Sequence, residues 1–346
     1  YDRNPTGPDY LIDQLTADGV YAKIIGDLDA ALTGSGLPKV VKSAELGRFT
    51  RAAAQMLRAN VVMYQQDASR YATVLTDMRE IIGSGLYSLR SDFAGLWTDS
   101  GEWGTESIFE INYTDSPSSR TWENPTKAGG TVFPTLIGIN GYSGPEWDTG
   151  GYGFEPVEEA LYNAYEGDDT RRDATILNFA KYRQQHPEAT YTPRYDDTGY
   201  FNRKYLGRAD GHDKYTGNAP EMNFRNNYRV WRYAETLLIA SELIVRTNGD
   251  RDEADDYLNQ VRARAFGMKP GDTAFAAKRR TATLDNLLLE NRLEFALEGH
   301  RFWDLVRYGK AEEVLGSRGY TDAKKHLPIP QSEIDQAHGT LKQNPY

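Results

Sequence analysis

The chain has 346 residues, of which 26% are charged and 39% hydrophobic, and its formal net charge is −10. This composition is ordinary for a folded protein, and the length suffices for one large core or two domains. The acidic balance argues against nucleic acid, an anionic membrane surface or a strongly anionic polymer as a direct partner.

The residue types exclude several kinds of site. There are no cysteines, and therefore no disulfide framework, thiolate metal site or cysteine nucleophile. No apolar run approaches the ~20 residues that span a bilayer. No signal peptide is visible and the chain starts at Tyr1 without a methionine, so we expect a processed or truncated product. The 23 tyrosines, against 12 phenylalanines, favour a surface built for recognition, because tyrosine combines an apolar face with a polar tip.

The first part of the chain predicts helices. A lead-in segment over residues 1–17 contains Pro5 and Pro8. Asp18 is the predicted N-cap of a helix that extends to about Leu32. Residues 48–65 and 69–82 then predict an αα-hairpin, since their apolar residues recur at helical spacing.

A second αα-hairpin is predicted much later in the chain. One helix is marked by apolar residues from Val230 to Leu238, and the next by residues from Ala254 to Ala265. Asp250, with Glu253 three residues on, predicts a capping box between them. Each pair is similar to a tetratricopeptide unit, but the two are not in tandem. We therefore expect one domain over 1–346, with helical scaffold parts at 1–85 and 228–346 and an insert at 86–227.

The predicted insert has a different composition from the scaffold. It contains one clear strand over residues 107–113, a short helix near 158–165 and a possible strand over 200–205. The remainder is rich in Gly, Asp, Asn, Pro, Thr and aromatic residues. A stretch this long without regular periodicity is usually functional, so we expect the ligand site in it.

Five aromatic residues of the insert are the candidate ligand contacts: Trp103, Trp122, Tyr142, Trp147 and Tyr152. All lie among turn-forming residues, where no helical or strand pattern requires an aromatic. An indole or phenol ring can stack on the C–H face of a sugar while neighbouring polar side chains bond its hydroxyls. Trp147 together with Tyr142 and Tyr152 is the preferred group; the alternative for each ring is that it only fills a gap in the loops.

Near the end of the chain, Glu290, Glu294 and Glu298 recur every four residues and so lie along one stripe of a helix. A glycosidase carboxylate pair or a metal site is one interpretation. We favour an ion-pair network that holds the last helices on the scaffold, with Arg292, Arg301 and Arg307 as its cations. Trp231, Phe302 and Trp303 follow helical spacing and are expected in the core.

Four motifs, whose order along the chain is the right one, resemble the SusD/RagB family. They are ENRLEFALEGHRFWDLVR (290–307), HLPIPQSEI (326–334) followed by QNPY (343–346), YRVWRYAETLL (228–238) and GRFTRAAA (47–54). Asn291, Ser241 and the absence of a glycine before Tyr346 depart from the family pattern. The resemblance spans essentially the whole chain, although family members are typically longer, and we expect the N-terminal portion to be missing here.

The resemblance implies a mostly α fold: tetratricopeptide-like αα-hairpins packed against a large, irregular, loop-rich region with a little β structure. It implies a non-catalytic protein of the cell surface that captures oligosaccharides or polysaccharides and delivers them to a SusC-like TonB-dependent outer-membrane transporter. Membrane association would run through a lipid on an N-terminal Cys outside this sequence. No cofactor or metal is implied.

Three alternatives stay open at the sequence level. The same fold captures peptides in some family members. A helical-repeat scaffold that binds only other proteins would use its helix grooves for the contact. A glycosidase using Glu146 and Asp148 is a further alternative, although the sequence offers no nucleophile motif or metal set for it.

Overall fold

A computed structural model describes residues 13–34, 36–116, 120–212 and 219–345. Pro5, Pro8 and Tyr346 lie outside these described residues. The longer helices are α1 (Ala17–Leu32), α2 (Arg51–Gln65), α3 (Tyr71–Gly83), α8 (Tyr233–Arg246), α9 (Arg251–Ala265) and α10 (Leu284–Glu294). The shorter helices are α4 (Phe133–Ile137), α5 (Glu159–Tyr162), α6 (Arg171–Thr175), α7 (Phe179–Gln185), α11 (Arg301–Arg307), α12 (Ala311–Leu315) and α13 (Gln331–Gln336). The strands are β1 (Ser107–Ile111), β2 (Ile176–Asn178), β3 (Tyr200–Asn202) and β4 (Tyr228–Arg232).

The two predicted αα-hairpins are confirmed, and they are neighbours in space. α2 packs on α3 and α8 packs on α9, while α3 also packs against α8 and α1 lies on α2. Fully buried apolar residues such as Met56, Met78, Leu237 and Leu258 join them into one core. The scaffold is therefore continuous, although about 150 residues of sequence separate α3 from α8. Within the described part of the chain, no helix is long and apolar enough to cross a membrane.

The N-termini of two helices differ in detail from their predicted caps. The N-cap of α1 is Thr16, whose hydroxyl accepts a hydrogen bond from the Gly19 amide (3.1 Å), and not Asp18. Asp250 caps α9 as predicted, accepting from the amides of residues 252 and 253. The Glu253 carboxylate, however, is bonded to Arg79 of α3 (2.9 Å) and so joins the two hairpins instead of completing a capping box.

A two-stranded sheet forms where the insert leaves the scaffold and returns to it. β1 pairs antiparallel with β4, with Phe109 opposite Trp231, and the Tyr233 amide donates to the Glu106 carbonyl (2.8 Å). Val230 therefore belongs to a strand, and its assignment to the following helix was wrong. Val230 is half-buried and Tyr233 is buried, and their helical spacing crosses the boundary between strand and helix without revealing it.

The insert is more regular than its sequence indicates. Short helices α4 to α7 lie within it, and β2 pairs antiparallel with β3, with Leu177 opposite Phe201. None of these helices exceeds seven residues, which is too short to show a helical period. The insert also has its own buried cluster, which includes Tyr142, Trp147 and Phe179.

The carboxylate stripe is a buried ion-pair network. Glu290, Glu294 and Glu298 are each 3% exposed or less. Their cationic partners are Arg171 and Arg262 for Glu290; Arg171, Arg232 and Arg264 for Glu294; and Arg232 and Lys204 for Glu298. A buried carboxylate is tolerable only when it is paired and hydrogen-bonded in this way.

The network partners differ from those predicted. Arg307 pairs with Glu242 (2.6 Å) and Asp304 (2.8 Å) and not with the stripe. Arg171 and Lys204 come from the insert, so the network joins the insert to the scaffold. Burial lowers the pKa of Lys204 to about 8, although Glu298, at 2.6 Å, favours its charged form.

This network should make the fold sensitive to acid. Burial opposes ionisation of Glu294, but Arg264, Arg232 and Arg171 hold its pKa well below the ordinary 4.5. The pKa of Glu294 is lower in the folded than in the unfolded protein. Its stabilising effect is therefore fully present above pH 4.5 and is lost as the pH falls towards the folded pKa. We expect the urea midpoint to fall steeply from about pH 5 to about pH 3. A Glu294→Gln variant should show a shallower fall, and an equally steep one would contradict this assignment.

Candidate functional site

Three aromatic side chains of the insert form an open platform: Trp122, Tyr152 and Phe154. The rings of Trp122 and Tyr152 are nearly parallel (14°), with centroids 6.4 Å apart. The Phe154 ring follows at 5.6 Å from Tyr152 and is tilted by 56°. Trp122 is 48% exposed and Phe154 60%, whereas Tyr152 is half-buried between them. The result is a bent row of aromatic faces that solvent can reach.

The Tyr152–Phe154 side of the platform is fixed through its backbone. The amides of Tyr152 and Phe154 donate to the carbonyls of Thr135 (2.8 Å) and Leu136 (2.9 Å), and the Gly153 amide donates to Gly138 (2.7 Å). These three bonds hold residues 152–154 against the α4 turn. Gly153 lies in the left-handed region (φ +66°), which favours glycine, and the chain turns there so that the Tyr152 and Phe154 rings are neighbours at 5.6 Å.

A close backbone contact brings this segment against α4. A Cβ atom on Gly151 would lie 2.2 Å from the carbonyl carbon of Gly138. No side chain fits at that distance, so the contact requires glycine at position 151. The position of Tyr152 therefore depends on the absence of a side chain at its neighbour.

Trp122 is oriented by a hydrogen bond from its indole Nε1 to Glu221 Oε1 (2.8 Å). Thr135, 1% exposed, links the two sides of the platform. Its hydroxyl donates to the Glu221 carbonyl (2.7 Å), and its own carbonyl accepts from the Tyr152 amide. One buried threonine thus fixes the positions of Trp122 and Tyr152 relative to each other. The platform is therefore preorganised before any ligand binds.

The rim of the platform is polar. Arg194 donates to the Tyr152 carbonyl (2.5 Å), and its guanidinium lies 5.2 Å from the centre of the Phe154 ring. Tyr195, next in sequence, is 90% exposed. The Tyr191 hydroxyl donates to Asp197 (2.8 Å), and burial together with that carboxylate raises the pKa of Tyr191 to about 12. Tyr191 therefore stays a neutral hydrogen-bond donor at physiological pH.

The structure places Tyr142 and Trp147 inside the insert, 3% and 2% exposed. The Tyr142 hydroxyl bonds the Pro145 carbonyl and the Tyr182 hydroxyl, and burial raises its pKa well above the ordinary value. The Trp147 ring lies between the guanidinium groups of Arg203 (5.8 Å) and Arg208 (5.4 Å). A sugar ring could not reach either aromatic face, so these two residues are not part of the platform. Their role here is to pack the insert.

Trp103 lies in a second aromatic group, on the outer side of the β1–β4 sheet. Its indole donates to Asn112 (2.7 Å), and its ring meets Phe109 edge to face at 6.4 Å. Phe109 in turn stacks on Phe49 at 4.7 Å. Of the five candidates, the structure therefore brings Trp122 and Tyr152 together, and adds Phe154.

Sequence reasoning missed Phe154, Glu221 and Arg194 as parts of this site. Phe154 lies next to Tyr152 because Gly153 turns the chain at φ +66°, a conformation that the spacing of the two aromatics does not report. Glu221 and Arg194 gave no local signal either. Their roles depend on contacts with residues 99 and 42 positions away.

A Gly151→Ala substitution should weaken ligand binding. The added methyl group must push the 151–154 segment away from Gly138, which displaces Tyr152 and Phe154 from Trp122. We expect an affinity loss of about tenfold, measured by titration calorimetry with the ligand proposed below. Gly167→Ala is the matched control, since its Cβ would meet nothing within 4 Å. Equal affinities for the two variants would contradict this account.

The molecule thus combines a helical-repeat scaffold with an inserted lobe that carries a bent aromatic platform. The SusD family model matches residues 105–346. The chain belongs to the SusD family, and the mostly α, tetratricopeptide-like fold implied by its motifs is confirmed.

Solved structures support the same assignment. Surface glycan-binding protein A from Bacteroides thetaiotaomicron, solved in complex with laminarihexaose, is 43% identical with a TM-score of 0.87, covering 96% of this chain and 72% of that one. The protein of the same name from Bacteroides fluxus is 38% identical with a TM-score of 0.85, covering 97% and 71%. A laminarin-binding SusD-like protein is 33% identical with a TM-score of 0.84, covering 96% and 70%.

Among curated proteins, a SusD-like protein of Formosa agariphila is 25% identical over 337 residues. The match covers 92% of this chain and 62% of that relative. The chain therefore spans somewhat under two thirds of the length of this curated relative.

Proposed function

We propose that this protein captures oligosaccharides or polysaccharides at the cell surface and passes them to a SusC-like TonB-dependent outer-membrane transporter. The observation that carries the proposal is the platform of Trp122, Tyr152 and Phe154, which offers open aromatic faces beside polar rim groups. Aromatic faces with a few placed hydrogen-bonding groups are typical of small-ligand sites. The net charge of −10 agrees with a neutral glycan.

The preferred ligand class is a laminarin-type glucan. Two of the most similar solved structures are named for laminarin-type ligands, laminarihexaose in one case and laminarin in the other. The platform supports this choice, because its faces turn by 56° between Tyr152 and Phe154. A bent row of rings matches a chain that curves and is a poor match for a flat, extended glucan such as cellulose.

Binding without catalysis is part of the proposal. Two similar structures of the family are named as a surface glycan-binding protein and a laminarin-binding protein, and neither name describes an enzyme. Of the two carboxylates considered for glycoside hydrolysis, Glu146 is exposed and lies 3.8 Å from His186, and Asp148 is half-buried. Asp148 accepts from the Gly150 amide (3.0 Å) and lies 3.0 Å from His212, which gives it a structural role. We place the protein at the outer membrane, held by a lipid anchor outside this sequence.

Titration calorimetry of the chain with laminarihexaose tests the proposal. Cellohexaose and a mixture of unrelated peptides serve as comparison ligands. We expect laminarihexaose to bind and cellohexaose to bind more weakly. Binding of peptides with no binding of any glycan would overturn the sugar assignment and favour peptide capture by the same fold. Release of shorter sugars from laminarihexaose would overturn the non-catalytic role.

A further inference from the structure

A cavity of about 490 Å³ lies in the scaffold and shares no lining residue with the platform. It opens where α2, β4, α8 and α11 meet. The residues that line it include Asn60, Tyr64, Trp231, Glu235, His300 and Trp303. None of them takes part in the aromatic platform, so the cavity is not explained by the proposed function.

The walls of this cavity are aromatic, and one of them is open. Trp303, expected in the core from its spacing, is instead 53% exposed. Its ring meets Tyr64 edge to face at 5.7 Å. Trp231 also lines the cavity and is half-buried. Exposed tryptophan beside a cavity is typical of a surface that contacts a partner.

Two acceptor atoms at this cavity have no donor among the residues that the structure describes. Glu235 is 4% exposed, and its Oε1 accepts from Asn60 Nδ2 (3.0 Å). Within the described ranges, Glu235 Oε2 and Asn60 Oδ1 have no hydrogen-bond partner. Buried polar atoms are rarely left in this state, and leaving a buried carboxylate oxygen unbonded is costly.

Among the described residues, Glu235 forms no ion pair with a lysine or arginine, although the more distant charge of Arg232 acts against the effect of burial. His300 Nδ1 lies 4.0 Å from Glu235 Oε1 and is charged only when protonated. Arg307 also lines the cavity, but its guanidinium is already bonded to Glu242 and Asp304. Burial raises the pKa of Glu235, as is expected for a carboxylate without a close cation.

We propose that this cavity receives a lysine side chain from a partner polypeptide. The ammonium group has three donors and one positive charge, which match the two vacant acceptors and the charge of Glu235. The aliphatic stem would pack on Trp231 and Trp303, whose faces also attract the cation. Arginine fits less well, since its five donors exceed the vacant acceptors. A sugar hydroxyl brings a donor but no charge.

The test uses Nα-acetyl-lysine methylamide as the probe and the norleucine analogue, which has the same stem without charge, as its control. Tryptophan fluorescence and NMR titration follow binding to the whole chain. We expect the lysine probe to bind at least about tenfold more tightly than the norleucine probe. Glu235→Gln keeps the shape of the side chain and should remove this preference. Trp303→Ala should weaken both probes, while Glu312→Gln, on the exposed side of α12, should change nothing.

Several results would overturn the proposal. They are no binding of the lysine probe, equal binding of the two probes, or an unchanged preference in a folded Glu235→Gln variant. Competition with laminarihexaose distinguishes this site from the platform. Unchanged lysine binding in the presence of the sugar supports a protein contact, whereas displacement by the sugar would make the cavity part of the glycan site. Because the probe does not touch the platform, failure here leaves the proposed glycan capture standing.

Discussion

Replacing Trp122 with alanine is expected to weaken laminarihexaose binding by about tenfold to a hundredfold. Trp122 offers the largest ring of the platform and is 48% exposed, so its face is available to a sugar. It is also held in place by Glu221 at 2.8 Å, so little conformational entropy is lost when a ligand binds. The loss should appear in titration calorimetry as a smaller binding constant with unchanged stoichiometry.

Two matched substitutions make this result specific. Trp103→Ala removes the same ring type from the second aromatic group and should leave affinity within about twofold. Glu221→Ala keeps the Trp122 ring but frees it to rotate, so an intermediate loss is expected. Trp103→Ala and Trp122→Ala proteins with equal affinity would argue against the platform. A large loss only in Trp103→Ala would move the ligand site to the β1–β4 sheet.

The helical scaffold could be predicted from the sequence because helices leave a local signature. The period of apolar residues and the capping residues lie within a few turns of one another. The same rule explains the error at Val230. A strand of five residues that pairs with residues more than 100 positions earlier has no local signature that separates it from a helix start.

The ligand site could be predicted only as a region. Trp122 and Trp147 look alike in sequence, since both lie among Gly, Pro, Asp or Asn residues. Trp147 is buried because Arg203 and Arg208, some 55–60 residues later, enclose it. Trp122 is open because its partner Glu221 holds only the indole edge. Burial of this kind depends on long-range packing, which residue type and spacing do not report.

The ion-pair network of Glu290, Glu294 and Glu298 likewise depends on long-range contacts that the sequence does not report. Its interpretation as a structural ion-pair network agrees with the structure, because three buried glutamates require cations. The single helical stripe was wrong for Glu298, which lies in the turn after α10 ends at Glu294. The cations chosen from the sequence were near neighbours such as Arg301 and Arg307. The actual partners of Glu294 lie 30 to 123 residues away. Spacing thus predicts that a buried carboxylate has partners, but it does not identify them.

Glu294→Ala is expected to lower the free energy of unfolding by about 3–5 kcal/mol, the range for breaking a buried ion pair. Glu294 is fully buried and bonds Arg171 (2.9 Å), Arg232 (2.9 Å) and Arg264 (2.5 Å). Its removal leaves three buried guanidinium groups with fewer carboxylates. Each of these cations keeps another partner, such as Glu290 for Arg171 and Glu298 for Arg232, so the fold should be weakened without being abolished.

Thermal unfolding and calorimetry together test this division between stability and binding. The melting temperature of Glu294→Ala should fall by roughly 5–10 °C, whereas laminarihexaose affinity of the folded fraction should stay within about twofold. Glu313→Ala is the control, because Glu313 is exposed and pairs only with Lys310 across one turn of α12. A folded Glu294→Ala protein with an unchanged melting temperature and lost affinity would contradict the structural role. It would mean that the network acts on the platform, through Arg171 and the insert, and not on the fold as a whole.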